Sequence, residues 1–139
     1  MTSYFADTFF FAALVNPKDS AHHWARSELA QILAQHDHVV TTSFVLVELG
    51  SSLTSIKTRG IFIELMETLK SWKVVVIPSS QRLLNKGIAL YAARLDKEWS
   101  IVDCTSFIVM KEKRIKKALT GDHHFDQAGF QSMYQPATS

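Results

Sequence analysis

The sequence predicts an α/β fold built on a parallel sheet, and three observations lead there. Short runs rich in β-branched and aromatic residues alternate with longer stretches of helical character, the pattern that parallel strands joined by helices require. The 139 residues, 47% hydrophobic and 20% charged, suit one globular unit with one core. Pro17, Gly60 and Pro78 fall where joints between elements are expected.

Taken in order, "SYFA" (3–6) is the first strand, followed by a helix from about Thr8 and a second over 21–36. "HVVTT" (38–42) is the second strand, leading into helices over 43–58 and 60–72. "WKVVVI" (72–77) is the third strand, followed by helices over 80–95 and 101–113. "KKALTG" (116–121) is the fourth, then a brief helix and a last strand in "FQSMY" (130–134). Residues 1–134 are expected to form a single domain, and the polar "QPATS" (135–139) a fraying tail.

Composition excludes several classes of function. No apolar stretch approaches the ~20 residues of a membrane span, and no cationic segment precedes "FFFAALV", so a cytoplasmic chain without membrane contact is expected. Cys104 is the single cysteine, which rules out an internal disulfide and a cysteine-based zinc site. A net charge of +2 permits a polyanionic partner without demanding one. Adjacent histidines, His22–His23 and His123–His124, diverge by about 100° on a helix and are expected to face solvent rather than chelate, with a phosphate contact from His123 or His124 beside Asp122 as the alternative.

Four carboxylates stand in costly places. Asp7 interrupts the apolar run "YFADTFFFAAL", and an ionised carboxylate is expensive to bury unpaired. Glu48 lies in "SFVLVELG", on a helix whose Phe44, Val45 and Leu49 look core-facing. Asp103 follows Ser100 in the Ser-x-x-Asp spacing of a capping box, and Asp122 follows the fourth strand in "TGDHHF". Taken singly, each Asp reads as a helix cap.

Taken together they read differently, because Asp7 and Asp122 both leave C-terminal ends of parallel strands, the edge where such sheets place their sites. If those strands are neighbours, Asp103 and Glu48 reach the same crevice. Four converging carboxylates repel, and a divalent cation relieves that penalty. An all-oxygen donor set suits Mg²⁺, with Mn²⁺ as substitute, and such ions support in-line attack on phosphodiesters.

The ordered set "ADT", Glu48, "SIVD" and "TGDHHF" resembles the PIN-domain ribonucleases, in particular the small stand-alone toxins called VapC, over nearly the whole chain. The resemblance implies a three-layer α/β/α domain whose five parallel strands run in the order 3-2-1-4-5. It makes Asp7, Glu48, Asp103 and Asp122 the catalytic and metal-binding acids, with Thr8 and Thr120 as hydroxyl neighbours and Ser100 beside Asp103. It further implies an RNA substrate, a VapB-like antitoxin and a homodimer, with part of the apolar surface of helices 21–36 and 60–72 serving those contacts. Arg94 and Lys97 are candidate phosphate contacts. Asp96 is a further acid near the Ser-x-x-Asp element, and Asp126 stands outside the core set.

Two rival readings remain. A phosphatase-like hydrolase would use Asp7 as nucleophile and want a second Asp at position 9, which is Phe9. A catalytically silent RNA-binding or protein-interaction module would keep the fold and use the acids as caps alone.

Overall fold

Tyr4, Phe5 and Ala6 are buried in succession, as a strand covered on both faces requires, and β1 (Ser3–Ala6) takes the centre of the sheet. The computed structural model describes residues 1–136. After β1 come α1 (Thr8–Val15), α2 (His22–Ala34), β2 (His38–Thr42), α3 (Ser43–Ser52), α4 (Ile56–Ser71) and β3 (Val75–Ile77). The chain continues through α5 (Gln81–Ala93), α6 (Ile101–Lys113), β4 (Lys117–Leu119), α7 (His123–Gln127) and β5 (Gln131–Ser132).

All four strand pairings are parallel, and the order is β3-β2-β1-β4-β5, as the resemblance implied. The chain first works outward from β1 to β3, then returns to lay β4 on the other side of β1. Around the sheet α1 packs on α2 and α3, α5 packs along α6, and α6 also meets α3. The reversal makes the C-terminal ends of β1 and β4 the switch point of the sheet. Phe5, Phe10, Phe11, Val45, Leu49, Met110, Leu119 and Phe125 fill the core beneath it, each at most 1% exposed.

Three helices end on non-glycine residues in the left-handed region: His36, Lys73 and Arg114, with φ of 58°, 56° and 58°. Each is followed by an N–H that reaches back one turn, from Asp37 to Ile32, Val74 to Leu69 and Ile115 to Met110, at 3.0, 3.1 and 2.8 Å. These paired closures absorb the orphan carbonyls and turn the chain toward β2, β3 and β4.

The expected helix over 43–58 is two pieces. α3 stops at Ser52, and α4 starts at Ile56 behind Ser55, whose hydroxyl pairs with that of Thr58 at 2.7 Å. Gly60 therefore lies inside α4 rather than at a joint. Pro17 and Pro78 do occupy connections. Gln135 and Pro136 are exposed, and positions 137–139 of the expected tail lie outside the described residues. Among the described residues, no helix is long and apolar enough to cross a membrane.

Two glycines in helices predict opposite outcomes. A Cβ at Gly60 meets nothing within 4 Å, so Gly60→Ala should stabilise the fold by about 0.5–1 kcal/mol and raise the melting temperature by about 2–5 °C. A Cβ at Gly87 falls 2.6 Å from Thr105 Cγ2, where α5 packs on α6. Gly87→Ala should therefore lower the melting temperature, and equal effects from the two substitutions would refute this account of the α5–α6 contact.

Candidate active site

Pairing of β1 with β4 brings the site together, because the register sets Ala6 beside Leu119 and so delivers Asp7 and Thr120 to the same edge. Thr120 is fully buried, and its hydroxyl donates to Asp7 Oδ2 at 2.9 Å while accepting the Asp122 backbone N–H at 3.0 Å. One hydroxyl thus orients two of the acids. Gly121 lies between them: a Cβ there would come within 2.7 Å of both the Phe9 and Tyr134 rings, which pack together with centroids 5.7 Å apart.

Each of the three aspartates also caps a helix. Asp7 is the N-cap of α1, its Oδ1 accepting from Phe10 N at 3.4 Å. Asp103 completes a capping box at the start of α6, accepting from Ser100 N at 3.0 Å while its own N–H donates to Ser100 Oγ at 2.9 Å. Asp122 is the N-cap of α7 and accepts from His124 N at 2.9 Å. The helix-cap reading is therefore geometrically correct, and it coexists with convergence.

Convergence shows in the electrostatics. Asp7 is 7% exposed, and its carboxyl is raised from 3.8 to about 8, first by burial and then by the charges of Asp122 and Asp103. Hydrogen bonds from Thr120 and Phe10 pull the other way without prevailing. Among the described residues, no Lys or Arg pairs with Asp7, Glu48, Asp103 or Asp122.

The base that does join the acids is His124, which sequence reasoning assigned to solvent. Its Nδ1 donates to Asp103 Oδ2 at 3.1 Å and lies 3.3 Å from Asp122 Oδ1, with the side chain 19% exposed. Both neighbours are acceptors, so the bonding proton sits on Nδ1. His123 is 74% exposed, yet its Nδ1 still comes within 3.7 Å of Asp122 Oδ1. The 100° divergence of helical neighbours failed here because both residues sit in the first turn of a short helix and lean back over its N-cap. The available signal was the spacing from Asp122 to His124, which lets one residue bond the same carboxylate by backbone and ring.

Glu48 is exposed on α3 rather than set among its apolar neighbours, and accepts a hydrogen bond from the Thr8 hydroxyl, one residue beyond Asp7. Arg94 and Asp96 are engaged with each other through two bonds of 3.0 and 2.9 Å, which hold the Asp96 carboxyl down at about 2. The Arg94 guanidinium also lies 5.2 Å from the centre of the Trp99 ring, which is buried and donates to Gln127 at 3.0 Å. Lys97 is half-buried one residue beyond Asp96. Asp126 is exposed and accepts from Ser132 N at 3.2 Å, tying α7 to β5.

The donors present suit a divalent cation: three carboxylates and an imidazole from three segments, with no Lys or Arg paired to the carboxylates among the described residues, and Asp7 held above its normal pKa first by burial and then by the other two acids. Ligand atoms of Asp122, His123 and His124 alone lie within 4.8 Å of one another.

A parallel sheet of this order with acids at its switch point defines a class, and the chain belongs to the PIN domain family, matched over residues 4–131. It is 31% identical over 126 residues to the 23S rRNA-specific endonuclease VapC20 of Mycobacterium tuberculosis, covering 91% of this chain and 94% of the relative. The crystal structure of that protein, described as a Sarcin-Ricin loop cleaving toxin, superposes with a TM-score of 0.78 at 30% identity, over 91% of this chain and 95% of that one. FitAcB from Neisseria gonorrhoeae shares the fold at a TM-score of 0.69 and 18% identity, over 94% and 96% of the two chains. VapBC2 from Rickettsia felis, bound to a DNA fragment from its promoter, shares it at 0.70 and 13%, with the same coverage.

The Asp7 carboxyl binds its proton more tightly in the folded chain than in the unfolded one. Its contribution to metal-free stability is complete below about pH 4 and is lost as the pH rises to about 8. In chelator, Asp7→Asn should stabilise the fold by an amount that grows by up to about 1.4 kcal/mol per pH unit from pH 5 to 8. Urea unfolding at four pH values checks this, and a difference independent of pH would mean that Asp7 is ionised throughout.

Proposed function

We propose that this protein is a divalent-metal-dependent endoribonuclease, the toxin of a toxin–antitoxin pair. The observation that carries the reading is that Asp7, at the β1–β4 edge, shares the Thr120 hydroxyl with Asp122 and feels the charges of Asp122 and Asp103, with no Lys or Arg paired to any of the three among the described residues. The 31% identity to an rRNA endonuclease supports RNA as substrate and makes ribosomal RNA the first to test.

In this reading residues 1–134 are the working unit, and Asp7, Asp103 and Asp122 hold Mg²⁺ or Mn²⁺ with Glu48 at the open side. A bound ion supplies charge for the phosphate and polarises the attacking water. Thr120 keeps Asp7 and Asp122 in register, Ser100 fixes Asp103, and Thr8 orients Glu48. With Arg94 and Asp96 already paired, Lys97 is the freer cation for substrate phosphates.

Two apolar grooves flank α4 and suit the protein partners. One, of about 540 Å³, runs between α2 and α4 and is lined by Leu29, Leu33, Leu65 and Trp72. The other, of about 580 Å³, lies between α3 and α4 along Leu46, Val47, Phe62 and Ile63. We assign this surface to a VapB-like antitoxin and a second copy of the chain.

RNA cleavage by purified protein should require Mg²⁺ or Mn²⁺, stop in chelator, and fall by at least about a hundredfold in Asp7→Asn, Asp103→Asn and Asp122→Asn. Glu48→Gln should lose less. In cells, wild type should arrest growth and co-expressed antitoxin should reverse the arrest. Equal toxicity from Asp7→Asn would refute the catalytic account and favour a silent binding module.

A further inference from the structure

We propose that His124 is itself a ligand of the metal centre, through Nδ1, and that it gives the site a mixed nitrogen–oxygen donor set favouring Mn²⁺ and later first-row ions over Mg²⁺. The inference rests on the metal-dependent reading above and deepens it at one residue.

Position comes first. Neighbouring donors around an ion with bonds of ~2.1–2.2 Å stand ~3.0–3.1 Å apart in octahedral geometry. His124 Nδ1 is 3.1 Å from Asp103 Oδ2 and 3.3 Å from Asp122 Oδ1, at or slightly beyond that spacing from an oxygen of each acid. The same two oxygens belong to the acids assigned to the metal.

The placement is enforced from both sides. The His124 backbone N–H is held on Asp122 Oδ1 at 2.9 Å, and the next residue, Phe125, is fully buried against Phe5 and Phe107, with ring centroids 6.4 and 4.9 Å away. With backbone and following side chain fixed, the ring has little reason to turn out to water.

The chemistry balances simply. Nδ1 now carries the hydrogen that bonds Asp103. A neutral imidazole exchanges that proton through solvent for one on Nε2, which frees the Nδ1 lone pair without change of net charge. Imidazole nitrogen suits transition ions, whereas Mg²⁺ favours oxygen donors. His123, exposed, lies near Asp122 and His124 but, unlike His124, does not bridge Asp122 to Asp103, and it serves as the comparison.

The test compares wild type with His124→Ala, His124→Asn and His123→Ala, using Mn²⁺, Co²⁺ and Mg²⁺ alone as probes. Asn places an amide N–H near Nδ1, so it can keep the bond to Asp103 while offering no nitrogen lone pair. Pulsed EPR of bound Mn²⁺ should show ¹⁴N coupling in wild type and His123→Ala and none in the two His124 variants. Calorimetry should show the Mn²⁺-to-Mg²⁺ and Co²⁺-to-Mg²⁺ affinity ratios falling by about tenfold in both His124 variants. Wild-type Mn²⁺ without ¹⁴N coupling, or wild-type ratios in His124→Asn, would overturn the assignment and make His124 a hydrogen-bonding strut. If that wild type still cleaves RNA with metal, the proposed function stands and only this inference falls; if it binds no ion at all, both fall.

Discussion

The register between β1 and β4 is the constraint on which the rest of this molecule depends. With Ala6 opposite Leu119, the next residues, Asp7 and Thr120, leave the sheet side by side and the threonine hydroxyl can serve both Asp7 and Asp122. A slip of one residue in β4 would send Thr120 to the other face and separate the acids, because side chains alternate along a strand. The fully buried Ala118 and Leu119 guard that register by size, since a slip would drive Leu119 into the space that Ala118 fills. Core packing and site geometry are in this way one requirement.

The three aspartates satisfy helix N-termini and repel one another at once. Capping favours the ionised carboxylate, which accepts N–H groups and complements the positive helix end. Burial and like charge favour the neutral acid, and at Asp7 they prevail. A fold tuned for stability alone would place an Asn or Ser at such a position. Retaining the charge costs stability in the metal-free protein, the usual relation between an active site and the scaffold that carries it.

α4 shows a different balance. Only Leu65 and Leu69 of its sixteen residues are fully buried, while Ile56, Ile61 and Ile63 are exposed. A helix attached along so narrow a stripe leaves open valleys on either side, of about 540 and 580 Å³, whereas the cavities against α6, where six residues are buried, are smaller at about 180 and 270 Å³. Between α5 and α6 the surface is tied by charge instead, with Arg82 and Lys86 both bound to Glu112, at 3.0 and 2.6 Å.

Local pattern by itself determined the alternation of strands and helices, the start of α6 at its capping box, and the costly position of Asp7, whereas Glu48, read the same way, is exposed. Each of those follows from neighbours in sequence: apolar runs, a Ser-x-x-Asp spacing, a carboxylate flanked by phenylalanines. The break between α3 and α4 was less legible because no Pro or Gly marks it, and a Gly stands inside α4 instead. Nor could the ends of α2, α4 and α6 be read from glycine, since His36, Lys73 and Arg114 take the left-handed position themselves. What only the tertiary structure decided is the company each acid keeps. Thr120 meets Asp7 across 113 positions of sequence, and His124 meets Asp103 across 21. Those contacts arise from strand pairing and from the docking of α7 beneath Phe107, and pairing between distant segments leaves no periodic trace in either segment alone.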